Sequence, residues 1–259
     1  MAVTFSGKDK LLRYARLYVD GYDLSGDALS FSSLDNNEEE VPLTAWSDPT
    51  EYFTITGRKV MGISGLMVFM NPDTGRAFDQ LKNTPLQRFL SFGFGGAGAP
   101  EIGDPAYLMP GLTLSDAISV DNNRVMLSVD GVRLDSARFD AYAGYPLGYV
   151  LNEASQKSDT WNGGSIDFAA AQVTPNVGSQ AILHVLEASV TTWTFKVQHS
   201  TDDSGWADLL TFTANGSAIT AERQSAATLV NRFVRFQGTR VGGAGTTTVV
   251  CTFARAHRA

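Results

Sequence analysis

Apolar and polar residues alternate along Arg16-Leu17-Tyr18-Val19-Asp20, Tyr52-Phe53-Thr54-Ile55-Thr56 and Trp193-Thr194-Phe195-Lys196-Val197-Gln198-His199. Successive side chains of a strand point to opposite faces, so this period of two predicts half-buried β-strands at all three places. Near the C-terminus Thr247, Val249, Cys251 and Phe253 share one parity, which puts the single cysteine in the core as a small hydrophobe. Val125-Met126-Leu127-Ser128-Val129 runs into Asp130-Gly131 and out through Val132-Arg133-Leu134. An Asp-Gly pair between apolar runs predicts a hairpin there.

One region departs from the strand pattern. Thr84-Pro85-Leu86-Gln87 offers a capping hydroxyl, a proline where a missing N–H costs nothing, and Gln three residues after the cap, with Phe89 and Leu90 following. This predicts a helix running to about residue 92, preceded by a shorter helical piece at about 76–82 whose cap is Asp73 or Thr74. The glycine-rich run from Gly93 to Gly98 then ends it, because glycine adopts positive φ cheaply.

Residues 152–165, NEASQKSDTWNGGS, lack a long apolar run and read as a linker. Five strand candidates follow, at 182–188, 193–199, 206–213, 229–237 and 246–253, with turns such as Thr201-Asp202-Asp203-Ser204-Gly205 at the spacing of a small β-sandwich. The predicted fold class is mainly β (α+β). A first domain, residues 1–151, is a β-sandwich or barrel with one packed helix at about 76–92, and a second, smaller β-sandwich occupies residues 152–259. No exact internal repeat relates them.

Composition narrows the functional classes. The 259 residues are 43% hydrophobic and 18% charged with one cysteine, which excludes a disordered chain and a disulfide scaffold. No apolar run approaches the roughly 20 residues a membrane span needs, and the basic N-terminal stretch precedes no signal-length apolar segment. Neither membrane association nor secretion is expected, and synthesis is cytosolic. The net charge of −7 is uneven: residues 1–151 carry 19 acids and 12 bases, residues 152–259 eight of each. An acidic first part disfavours direct capture of nucleic acid, whose phosphates call for a basic surface.

No catalytic constellation is legible. His184, His199 and His257 show no metal-ligand spacing, and there is no H-E-x-x-H or G-x-S-x-G. His199-Ser200-Asp202 offers a base, a hydroxyl and an acid, but near-consecutive residues at a strand end do not face one another as a triad must. The Gly93–Gly98 run has no closing Gly-Lys-Ser/Thr for phosphate. Glu38-Glu39-Glu40 and Asp202-Asp203 are carboxylate pairs without an established separation. No enzyme activity, catalytic residue, cofactor or metal is expected. The acidic segment at 34–46, LDNNEEEVPLTAW, reads either as a solvated turn or as a projecting loop that touches a neighbouring subunit.

The N-terminal part carries a resemblance. Arg16-Leu17-Tyr18-Val19-Asp20-Gly21-Tyr22-Asp23-Leu24-Ser25-Gly26, then the polar loop, then Asp48 to Gly65 with Glu51-Tyr52 and Ile63-Ser64-Gly65, resembles the opening of major tail tube proteins of long, non-contractile-tailed bacteriophages. Those proteins begin with a V-D-G-x-D-[LI]-S-G strand and turn, followed after a long loop by an E-Y hairpin ending in [IL]-S-G. The match covers residues 14–70, and the second part looks like a β-sandwich module common in phage virion proteins.

The resemblance implies a virion subunit, assembled in the bacterial host cytoplasm, that polymerises with itself into stacked rings and conducts double-stranded DNA without specific binding. Tape measure and tail terminator proteins are implied as further partners. Edge strands would pair between neighbours. The loop would reach the adjacent ring through Asn36, Asn37, Glu38, Glu39, Glu40, Val41, Leu43 and Trp46, the acids choosing charge partners and the apolar residues anchoring. The excess carboxylates would line a lumen that repels DNA phosphates. Six copies or three two-domain copies per ring both remain open. A decoration or baseplate-type virion protein whose Trp161, Trp193 and Trp206 stack on glycans is the alternative reading.

Overall fold

The computed structural model describes residues 12–42, 50, 53–82, 87–112, 115–121, 124–130, 132–133, 145–173 and 178–256. They are mainly β, all strand pairs are antiparallel, and one short helix is present among them. The first part holds β1 (Ala15–Val19), β2 (Tyr22–Asp23), β3 (Ala28–Ser30), β4 (Ser33–Pro42), β5 (Phe53–Ser64), β6 (Leu66–Phe69), α1 (Ala77–Leu81), β7 (Gln87–Phe94), β8 (Pro105–Leu112), β9 (Ser115–Asp121), β10 (Arg124–Asp130) and β11 (Val132–Arg133). Then come β12 (Leu147–Lys157), β13 (Trp161–Asn162), β14 (Ile166–Asp167), β15 (Ser179–Glu187), β16 (Thr192–Ser200), β17 (Ala207–Thr211), β18 (Thr220–Ala226), β19 (Phe233–Val241) and β20 (Thr247–Arg255).

Three sheets organise these strands. The largest runs β18-β15-β20-β12-β8-β11-β5-β4, with β7 joining β8 to β1 and β1 to β2. A four-stranded sheet has the order β3-β6-β10-β9, and a third runs β13-β19-β16-β17 with β14 also on β19. Leu17, Val19, Met61, Ile63, Leu66, Val68, Leu90, Phe92, Tyr107, Met109, Leu127 and Val129 form one buried core, closed at one side by Ala77 and Leu81 of α1. Leu151, Leu183, Val185, Trp193, Phe195, Val197, Val234, Phe236, Val249, Cys251 and Phe253 form the second. The cysteine and its parity partners Thr247, Val249 and Phe253 are all buried, as the alternation predicts.

Four expectations need correction. The Thr84–Pro85 signature predicts a helix to residue 92, but Gln87–Phe94 is strand β7, held between β1 and β8; α1 covers only Ala77–Leu81. The Asp130-Gly131 pair does not close a hairpin. β10 already has β6 and β9 on its two edges, so β11 pairs instead with β5 and β8 in the large sheet. The tight hairpin is β9–β10, where Asp121 faces Arg124. The acidic segment is a strand over Ser33–Pro42, not a loop. Residues 152–165 contribute the second half of β12, and β13, where a linker is expected; β12 pairs with β8 through Leu147–Tyr149 and with β20 through most of its length.

Candidate assembly surfaces

The segment with the tail-tube-like pattern folds as a tightly built turn. Asp20 adopts φ 49° and Gly21 φ 89°. The Asp20 carboxylate accepts the Phe89 N–H (2.8 Å) and pairs with Arg88 Nη1 (2.8 Å). Asp23 Oδ1 accepts from the Ser25 N–H (2.9 Å) and the Ser25 hydroxyl, whose Oγ in turn accepts the Leu17 N–H (2.8 Å). This is an Asx-type turn, in which a short carboxylate replaces a backbone acceptor. Asp27, buried, receives the first helical N–H of α1 from Ala77 (3.2 Å).

The acidic segment forms a long two-stranded arm. β4 pairs with β5 from Ser33–Ser64 to Pro42–Phe53, with an irregularity between Glu38 and Glu40. The register sets Lys59 of the same chain opposite Glu38. At the root of the arm the Tyr107 hydroxyl lies 2.8 Å from Asp35 O and 3.2 Å from Gly62 O, and burial pushes its pKa up. β4 ends the sheet path, so its outer edge is unpaired among the described strands. Asn36 is exposed; Asn37, Glu38, Glu39, Glu40 and Val41 lie along β4, and Leu43 and Trp46 lie outside the described residues.

A second free edge escapes the sequence reading. In the four-stranded sheet, Val68 and Leu127 are paired in register and buried, and the next residue in that row is Ile118 on β9, 67% exposed. Beside it, Val125 faces Val120, at 53% and 72% exposure. The core-facing apolar row thus runs past the covered core onto an edge strand. The alternation Asp116-Ala117-Ile118-Ser119-Val120-Asp121 was the available signal. At the opposite edge of that sheet, β3 borders a cavity of about 40 Å³ whose lining is mixed, with Leu17, Leu29, Phe31 and Phe92 beside Arg16, Ser25 and Ser30.

The two described histidines, His184 and His199, have separate partners. His199 Nδ1 accepts the Asn231 N–H (3.3 Å), His184 is wholly buried between the two parts, and His257 lies outside the described residues. No group of three or more His, Cys, Asp or Glu side chains gathers among the described residues. Asp202, from the His199-Ser200-Asp202 trio, accepts from the Gly205 and Ser204 N–H groups and the Ser200 hydroxyl, which hold its carboxyl well below the usual range.

The three tryptophans of the glycan reading sit in different settings. Trp193 is buried, and Trp161 packs against Trp193, Phe195 and Phe236 while donating to Asn152 Oδ1 (3.0 Å). A Cβ at Gly238 would run into the Trp161 ring. Trp206 carries the Arg235 guanidinium at 4.2 Å over one face. No helix among the described residues is long and apolar enough to cross a membrane.

No family model matches the chain, and no curated protein matches it. Among solved structures it is similar to the Dit protein (gp 19.1) of phage SPP1, described as a paradigm of the hub adsorption apparatus in Gram-positive-infecting phages. The identity is 12%, the TM-score 0.30, and the match spans 92% of this chain and 98% of that one. It is also similar to the insecticidal δ-endotoxin Cry8Ea1 of Bacillus thuringiensis, with 11% identity, a TM-score of 0.27, and coverage of 94% and 42%. At these scores neither likeness carries an argument about function.

Proposed function

We propose that this chain is a non-enzymatic structural subunit of a phage tail tube that assembles with copies of itself through its sheet edges. The observation that carries this is the uncovered continuation of the first core onto the sheet edge, where Ile118 and Val120 of β9 and Val125 of β10 leave apolar surface facing solvent and the outer edge of β9 is unpaired among the described strands. A monomer blunts such an edge with charge, proline or cover; an assembling subunit leaves it available. The opposite edge, β3 with Leu29 and a small cavity lined by Arg16, Ser25, Ser30 and apolar side chains, is the complementary half of a head-to-tail contact, since Asp116 and Asp121 lie on β9. One sheet with two unlike, matching edges generates a ring if the rotation closes.

In the same reading the β4–β5 arm makes the ring-to-ring contact, the carboxylate excess of residues 1–151 turns towards a channel through which DNA passes without adhering, and tape measure and tail terminator proteins are further partners. The N-terminal resemblance supports this assignment to a virion; the free edges support assembly as such.

Ile118→Lys together with Val120→Asp tests the contact. Exposed substitutions change stability by roughly 0.5 kcal/mol, so far-ultraviolet circular dichroism and thermal melting should stay close to the unsubstituted protein. Light scattering should shift from a ring mass to a single chain. Assemblies that persist at unchanged mass would remove β9 from the interface.

A further inference from the structure

Between the two cores runs a line of buried polar groups that the proposed assembly does not use. His184 Nδ1 accepts the Gly21 N–H (3.3 Å), His184 Nε2 lies 3.0 Å from Ser91 Oγ, and Ser91 Oγ lies 2.8 Å from Thr252 Oγ1. Gly21 and Ser91 belong to the first core's strands and turns, His184 and Thr252 to β15 and β20. The direction of the bonds is fixed from one end. Because the Gly21 N–H can only donate, Nδ1 must carry a lone pair, so the ring proton sits on Nε2 and points to Ser91 Oγ, which shares a further hydrogen bond with the Thr252 hydroxyl.

The fit around this line is close. A Cβ at Gly21 would stand 2.7 Å from the Thr220 N and O atoms and 2.8 Å from Val185 O, so the turn sits directly on β15 and β18. His184 is fully buried, the Tyr18 ring is 5.9 Å away, and Val250 and Ala221 flank it in register. Charged groups on the packed elements are engaged elsewhere. Asp20 pairs with Arg88, Asp23 accepts from Ser25, Glu187 accepts from Gln156 and Thr248, Glu222 accepts the Thr213 and Ala214 N–H groups, Arg223 donates to Gln180, and Arg255 lies over Phe168. Among the described residues no carboxylate bonds to the imidazole. A second proton on the ring would place an N–H against the Gly21 N–H and leave a buried cation without a counter-charge, an expensive arrangement.

We propose that His184 is a proton-operated latch, which when neutral ties the Asp20–Gly21 turn and β7 to the second core and which lets go of that turn when it takes up a proton. Burial pushes the imidazole pKa down from 6.5 to about 3. The sign follows from the direction of that shift. The closed form holds neutral His184, and the open form binds a proton below about 6.5. The latch is therefore fully closed above that pH, weakens about tenfold per unit as pH falls from 6.5 towards 3, and changes no further below.

The test is amide exchange at Gly21, corrected for intrinsic rates, measured between about pH 7 and about pH 5. His199→Gln serves as the background, because burial also lowers the His199 pKa and its titration would overlap. In that background Gly21 exchange should accelerate at least tenfold across the range, and adding His184→Gln should make it flat. Equal pH dependence with and without His184, or no acceleration in the background, overturns the latch. Should the His184→Gln chain fail to fold, the His184 imidazole resonances of the background protein decide. An imidazole that titrates near 6.5 while the Gly21 amide stays protected contradicts the proposal. One that stays neutral as the amide opens in parallel with falling pH supports it.

Discussion

At the scale of single residues, position-specific geometry outweighs residue type. Gly21 and Gly103 have nearly the same backbone angle, φ 89° and 91°, but Gly21 faces Thr220 and Val185 whereas nothing lies within 4 Å of a Cβ at Gly103. Alanine at Gly103 should cost roughly 1 kcal/mol, the ordinary penalty for positive φ. Alanine at Gly21 adds a steric conflict with backbone and should cost about 2–4 kcal/mol. Urea unfolding of the two variants separates these values, and equal costs would mean that the turn does not seat on β15 and β18. Little of this was legible in the chain. The Val-Asp-Gly motif is visible as a motif, but that its glycine meets a histidine 163 residues away depends on a tertiary contact that no local pattern encodes.

At the scale of elements, strands with an apolar signal of their own were legible, β15 and β20 among them although both are buried on both faces, whereas β7 and β18 were not. β1 and β16 alternate and are found where the pattern puts them. β7 reads as a helix from its cap signature, yet it is a strand covered on both faces: Leu90 and Phe92 enter the first core, while Ser91 meets His184 and Phe89 packs with Leu108 and Ile182. The local cap signature then prevailed over a pairing fixed by distant strands, the usual way tertiary context overrides propensity. β18, with the polar sequence TAERQSA, pairs with β15 over seven residues and carries no hydrophobic signal. The arm is an element-scale prediction. Glu38→Lys, Glu39→Lys and Glu40→Lys together should shorten tubes. Placing a lysine opposite Lys59 should also weaken the arm by about 0.2–1 kcal/mol, leaving the melting of the whole chain almost unmoved. Tube lengths equal to those of the unsubstituted chain would take the arm out of the ring-to-ring contact.

At the scale of the whole molecule, two cores are welded by one sheet. β12 bonds to β8 on one side and β20 on the other, and Leu108, Ile182 and Ala254 form a small apolar cluster between the cores. A chain built this way presents β4, β9 and β3, whose outer edges are unpaired among the described strands, on one body, as the proposed assembly requires. The mainly β class was legible in the period of two and the turn spacing; the free edges were not, because an edge is defined by what fails to pair with it. Cryo-electron microscopy of the concentrated purified chain tests the central claim most directly. Rings or stacked tubes with β9 of each copy against β3 of the next are the predicted result. A field of single molecules at every concentration, with β9 open to solvent, would contradict it.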